Sequence, residues 1–360
     1  MPITIGPGWR IGPGFTVSSP SAPVFNGFTT PAVMGAGASG TMTGIAINSS
    51  GLFVAVGYNA GNQPVYATSS NGSTWTTPAL MNGSTAFAAI RAITVNSAGL
   101  FVAVGNDGTG APVFATSANG STWTTPASIP GTNIGLYTVA VNSSGLFVAL
   151  GWDGAAQPYY TTSANGSTWT TLALMNGSTS YATMQSIFWS PIQNLFVAVG
   201  GGATGQPLYA TSSNGSTWTT PAAMNGSTAP AYMISVAVNS SGLLVAVGTD
   251  FTNNRPMYAT SSNGSTWTTP AAMNGSTTFA QMNSVIVNSS GLFIATGFDA
   301  SNAPVYATSS NGSTWTTPAP MNGSTTYAQI NSATLNSSDL VVAVGANSIT
   351  SAIYATSTSA

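Results

Sequence analysis

Four aspartates stand two residues beyond a recurring glycine: Asp107, Asp153, Asp250 and Asp299 follow Gly105, Gly151, Gly248 and Gly297. Asn59 and Asn347 hold the same place after Gly57 and Gly345. Aromatic residues sit beside them at Tyr58, Trp152, Phe251 and Phe298. Polar groups next to an aromatic platform suit sugar recognition. Aspartate oxygens could instead gather a hard cation such as calcium, which takes oxygen ligands. The plainest use of Asp and Asn is to close tight turns with their own side chains.

Catalysis has little to work with. The 360 residues include three cations, Arg10, Arg91 and Arg255, and no Lys. The five acids are Asp107, Asp153, Asp250, Asp299 and Asp339, and Glu, His and Cys are absent. That excludes nucleophile–histidine triads and His/Cys zinc sites. A carboxylate pair for glycoside hydrolysis could come only from Asp. No catalytic set, cofactor motif or metal site is expected. Charged residues make up 2% of the chain, with a net charge of −2, against about a quarter in an ordinary domain. Nucleic acid is excluded as a partner, because phosphate binding needs clustered Lys and Arg. A membrane is excluded too: there is no basic face and no apolar run of about 18 residues. Residues 1–20 do not read as a signal peptide. Few reactive or trypsin-sensitive side chains suit a protein outside a cell, but duplication of one odd unit would give the same composition.

The elements that must position these residues come from a repeat. Residues 43–79 form the clearest unit. Its Trp75 recurs as Trp123, Trp169, Trp218, Trp267 and Trp315. Its Gly57 recurs as Gly105, Gly151, Gly200, Gly248, Gly297 and Gly345, at intervals of 46 to 49 residues. Each unit predicts four short strands: one like Ile45-Ala46-Ile47, then Leu52-Phe53-Val54-Ala55-Val56, then Val65-Tyr66-Ala67-Thr68, then Thr74-Trp75-Thr76-Thr77 ended by Pro78. The second run is apolar throughout, as in a strand buried on both faces. Asn71-Gly72 is a strong hairpin signal, because both residues tolerate positive φ. Four strands per repeat of this length predict propeller blades.

The chain ends give the blade number. Seven strands of the FVAVG type are present, but the last unit stops at its third strand, Ile353-Tyr354-Ala355-Thr356-Ser357. Phe28-Thr29-Thr30-Pro31-Ala32-Val33-Met34 matches Trp75-Thr76-Thr77-Pro78-Ala79-Leu80-Met81. The N-terminal segment is therefore expected to supply the outer strand of a seventh blade, closing an all-β, seven-bladed propeller over residues 23–360. Closure of this kind protects strand edges that would otherwise pair with other chains. The corner at Trp189-Ser190-Pro191-Ile192-Gln193-Asn194 should differ from the others. The connection starting at Met81 recurs at Met175, Met224, Met273 and Met321, and these Met side chains read as core filler. The many Asn-x-Ser/Thr triplets read as turn chemistry rather than glycosylation sites.

At ATSSNGSTWTTP the sequence resembles the Asp-box repeat of sialidase-like propellers, S-x-D-x-G-x-T-W or its shorter form S-x-D-G-x-T-W. Thr68 falls on the Ser, Gly72 on the Gly, Thr74 on the Thr and Trp75 on the Trp; the Asp position falls on Ser70, or on Asn71 in the shorter form. The resemblance covers all seven units and implies a fold, not an activity. The sialidase site does not carry over. It needs an arginine triad and a Tyr/Glu pair, whereas this chain offers Arg91 and Arg255 in the ring and no Glu.

Residues 1–22 read as a separate arm. Ile5-Gly6-Pro7-Gly8-Trp9-Arg10 is followed by Ile11-Gly12-Pro13-Gly14-Phe15-Thr16, a doublet similar to N-terminal segments of structural proteins from marine tailed phages. Alternating Gly and Pro forbid a helix and favour an extended chain. Ile5, Trp9, Ile11 and Phe15, with Arg10, could dock a partner or fold back on the propeller. What the resemblance implies is a non-enzymatic virion protein, a capsid decoration or fibre-type appendage, attached to other virion proteins by the arm. The Asp and aromatic rim supports an alternative: a lectin-like, extracellular carbohydrate-binding propeller. The two can coexist, since a displayed propeller can bind surface glycans.

Overall fold

The all-apolar run of each repeat becomes the second strand of a blade, buried on both faces: Val54, Ala55 and Val56 are fully inaccessible, as are their counterparts around the ring. The computed structural model describes residues 24–35, 39–84, 87–131, 133–177, 181–227, 230–275, 280–324, 326–348 and 351–359. Six antiparallel four-stranded sheets follow one another along the chain. The first blade comprises Thr41–Ile47, Phe53–Tyr58, Pro64–Ser69 and Ala79–Leu80. The seventh sheet joins Ala328–Leu335, Val341–Asn347 and Ala352–Ser359 to two N-terminal strands, Phe25–Phe28 and Ala32–Val33. The seven-bladed propeller and its closure by the N-terminal segment are as expected. Phe28 lies opposite Ser357, and Ala32 opposite Tyr354. The arm residues Ile5, Trp9, Arg10, Ile11 and Phe15 lie outside the described residues.

Blades adhere through apolar layers. Val54 and Val56 of the first blade pack with Ile90, Phe101 and Trp123 of the second, and Met81 fills the space between them. Met34, Met175, Met224, Met273 and Met321 are equally inaccessible, as core filler should be. Each Trp tucks against a Tyr or Phe of the preceding blade, as in Tyr66–Trp123 with centroids 6.1 Å apart. Phe28 takes the Trp place at the seam, 5.5 Å from Tyr306.

Two local expectations need correction. The outer strand does not run from Thr74 to Thr77; it is the pair Ala79–Leu80, just past Pro78. The Trp side chain turns inward here, and Thr76 alone makes a reciprocal contact with the third strand: its amide donates to Thr68 O (2.9 Å) and its Oγ1 accepts the Thr68 amide (2.8 Å). The third-to-fourth turn also works differently from the reason given above. Gly72 has positive φ but Asn71 does not. Asn71 instead accepts the Ser73 and Thr74 amides on Oδ1 (2.9 and 2.8 Å), and Ser69 Oγ accepts Gly72 N (2.9 Å). The lock therefore follows the shorter spacing through Ser69 and Asn71, not the one through Thr68. The odd corner is indeed different: Gln193 Nε2 donates to Gly242 O of the next blade (2.7 Å).

Candidate functional site

The innermost strands carry the feature that builds the site. In every blade the register between first and second strand slips once, by a bulge. The bulged residues are Thr43, Arg91, Tyr137, Gln185, Ile234, Asn283 and Asn331. A bulge re-aims one side chain and pushes backbone aside. Here it presses a carbonyl against the second strand, so that a Cβ at Gly57 would lie 1.8 Å from Thr41 O. Gly105, Gly151, Gly200, Gly248, Gly297 and Gly345 meet the same obstacle. The recurring glycine read from the sequence is thus the partner of the bulge.

Three bulge side chains are spent on holding blades together. Thr43 Oγ1 donates to Ile90 O (2.9 Å), Asn283 Nδ2 to Ile330 O (2.7 Å) and Asn331 Nδ2 to Met42 O (2.9 Å). Each acceptor directly precedes the bulge of the next blade. Arg91 and Tyr137 do something else. The Arg91 guanidinium carbon lies 5.2 Å from the centroid of the Tyr58 ring and 6.0 Å from that of Tyr137. Tyr137 in turn stacks on Trp152, at 3.6 Å and 4° from parallel. The result is a column, Tyr58–Arg91–Tyr137–Trp152, across three blades.

A groove of about 510 Å³ runs on from this column, lined by Asn106, Tyr137, Trp152, Asp153 and Tyr181 among others. Beyond it Tyr232 meets Phe251 edge to face at 5.0 Å. Burial first, then the neighbouring Tyr181 hydroxyl, push the Tyr232 phenol above its ordinary value. Tyr181 and Phe251 are strongly exposed, at 43% and 50%. Aromatic side chains therefore follow an arc over five blades.

The Asp and Asn residues of the rim close the second-to-third-strand hairpins. Asp153 Oδ1 accepts the amides of Ala155 and Gln157 (both 2.9 Å), and Asp107 Oδ1 those of Thr109 (2.8 Å) and Ala111 (2.9 Å). Asp299 takes Ser301 N and Ala303 N, Asn59 takes Gly61 N and Gln63 N, and Asn347 takes Ser351 N. Asp250 caps Thr252 and Asn253. Burial raises the Asp107 carboxyl, but the Thr109 hydroxyl and the Ala111 and Thr109 amides outweigh it and hold the group below its ordinary 3.8. Among the described residues no three acids stand together to hold a metal.

Of the expected rim, the structure brings Tyr58, Trp152 and Asp153 to the column and groove, and Phe251 to the far end of the arc. Phe298 stands apart, paired with Gln281 and Pro304 on its own ladder. The expectation did not include Arg91, Tyr137, Tyr181 and Tyr232 as site residues. Nothing in the sequence singles out the first two: the bulge position varies from blade to blade, but the position after the recurring glycine varies as much.

Residues 34–287 match the DUF6242 β-propeller domain. The chain belongs to that family. No curated protein sequence matches it. The DUF6242 propeller is similar in fold to the BP39L lectin from Burkholderia pseudomallei, with TM-score 0.67 and 11% identity over 88% of this chain and 96% of that one. It is also similar to a PL25 polysaccharide lyase, an ulvan lyase bound to -[GlcA(1-4)Rha3S]-, with TM-score 0.57 and 10% identity over 92% and 95%. NanB in complex with Optactamide gives TM-score 0.52 and 12% identity over 92% of this chain and 70% of that one. At such identities the likeness establishes the fold alone.

Proposed function

We propose that this propeller is a non-enzymatic carbohydrate-binding protein whose ligand lies across the aromatic arc that runs from Tyr58 to Phe251. The observation that carries the reading is the Tyr137–Trp152 stack at the edge of an open groove. Tyr137 backs one face of Trp152 and fixes its plane, which gives a rigid apolar surface at low entropic cost. Asn106, Thr109, Asp153 and Thr183 surround it with hydrogen-bonding groups. A concave apolar floor with a few polar groups is the usual form of a small-ligand site. The lectin and the lyase among its structural neighbours agree with this class of ligand.

A catalytic reading is weaker. Hydrolysis needs two carboxyl groups flanking one bond, and the rim aspartates each devote an oxygen to a hairpin. Glycan-array binding by the full chain tests the proposal, with Trp152→Ala as control. Binding lost in the variant supports the arc, whereas binding unchanged by it sinks the site. Turnover of a glycan abolished by Asp153→Asn would make the protein an enzyme.

A virion setting is the second reading, and its argument is the Gly-Pro doublet at residues 5–16. Mass spectrometry of purified virus particles tests it. A stoichiometric presence supports attachment through the arm, and absence from particles alongside presence in the lysate removes it.

A further inference from the structure

We propose that Arg91 seats an oxyanion in the channel mouth, and that the glycan taken by this propeller carries carboxylate or sulfate groups. The second half rests on the carbohydrate-binding reading above. The channel has a volume of about 500 Å³, and its lining includes one charged side chain, Arg91, and no acid. Around it stand neutral groups, among them Thr43, Tyr137, Gln185 and Ser186.

Arg91 has no structural employment that would explain its charge. Thr43, Asn283 and Asn331, at the same bulge in other blades, tie their side chains to the next blade. Among the described residues no acceptor or carboxylate meets the Arg91 guanidinium, and its Nε is shielded from solvent without a partner. Guanidinium carries five N–H donors and stays charged at any physiological pH. Leaving a sheltered donor unmet is unfavourable, and a structural position would be served better by a neutral residue. Tyr58 and Tyr137 flank the side chain, so the fork is held by ring faces rather than by a counter-ion. A planar cation fixed in this way is complementary to carboxylate and sulfate oxygens. Asp153 lines the groove and not the channel, and Asp107 of the same blade as Arg91 does not line the channel either.

The test is calorimetric titration of the full chain with three probes: a glucuronate-containing oligosaccharide, its carboxyl-reduced neutral counterpart, and inorganic sulfate at constant ionic strength. The acidic sugar is expected to bind at least about tenfold more tightly than the neutral one, the weight of one charge-assisted hydrogen bond. Arg91→Gln should erase that preference, so that the acidic sugar binds no more tightly than the neutral one; Arg91→Lys should keep part of it. Thermal melting confirms that both variants fold. A preference that survives Arg91→Gln, or equal binding of the two sugars, overturns the proposal. If neither sugar binds but sulfate raises the Tm of the wild type more than that of Arg91→Gln, the anion seat stands and the glycan reading falls. If sulfate also makes no difference between them, the seat is overturned.

Discussion

The rings of Tyr137 and Trp152 lie parallel, 3.6 Å between centroids, although Tyr137 belongs to a bulge of the innermost strand and Trp152 to the end of the second. Gly135 faces Trp152 on the ladder, and its missing side chain makes room: a Cβ there would stand 3.0 Å from the Tyr137 ring. Three residue types, a glycine and two aromatics, thus make one platform. Trp152→Ala should weaken glycan binding about tenfold or more, while changing Tm little because the side chain is half-exposed. Calorimetry and melting on the same sample separate the two effects.

The bulge and its glycine are tested at Gly57. A Cβ placed 1.8 Å from Thr41 O has no room, since the obstacle is backbone. Gly57→Ala should destabilise by about 3 kcal/mol, the upper range for overpacking. A denaturant midpoint equal to that of the wild type would mean that the inner bulge relaxes freely.

The rim acids separate by the variant chosen. Asn at position 153 can still accept the Ala155 and Gln157 amides, so Asp153→Asn should be neutral in stability. Asp153→Ala leaves both without a side-chain acceptor and should lose about 1 kcal/mol. Equal melting of the two variants would show that the hairpin holds itself.

Asp107 should contribute to acid sensitivity. Its folded value lies below the ordinary 3.8, so its stabilisation is complete above the unfolded value. It is lost as the pH falls through the folded one. Asp107→Asn should therefore flatten the stability profile below about pH 4, and a melting series from pH 2 to 6 reads the difference. A variant with an unchanged slope would mean that other acids carry the transition.

The seam can be opened selectively. Phe28 is buried against Tyr306, and the Thr29 amide donates to Thr356 O at 2.8 Å. Phe28→Ala should destabilise by about 3 kcal/mol, in the range for a large core truncation. Deleting residues 1–22 should leave Tm unchanged, because the closing strands begin at Phe25. Loss of folding in that deletion would assign the arm to the propeller.

The repeat by itself determined the blade, the blade number and the closing segment. These follow from local signals that recur: an apolar run, turn residues and a Trp that must be buried, with a missing strand at one end matched by an extra one at the other. It also marked the rim, since Tyr58, Trp152 and Asp153 sit at a constant offset from a glycine. Two things escaped it. The true outer strand lies beyond Pro78, because the Trp ring turning inward pulls its own segment off the ladder. The column of Arg91 between Tyr58 and Tyr137 depends on three blades meeting around a channel, with one bulge per blade turning a side chain toward it. A bulge is a property of strand pairing, and proximity between blades is a property of the closed ring, so tertiary structure alone decided that an arginine would stand between two aromatic rings at the channel.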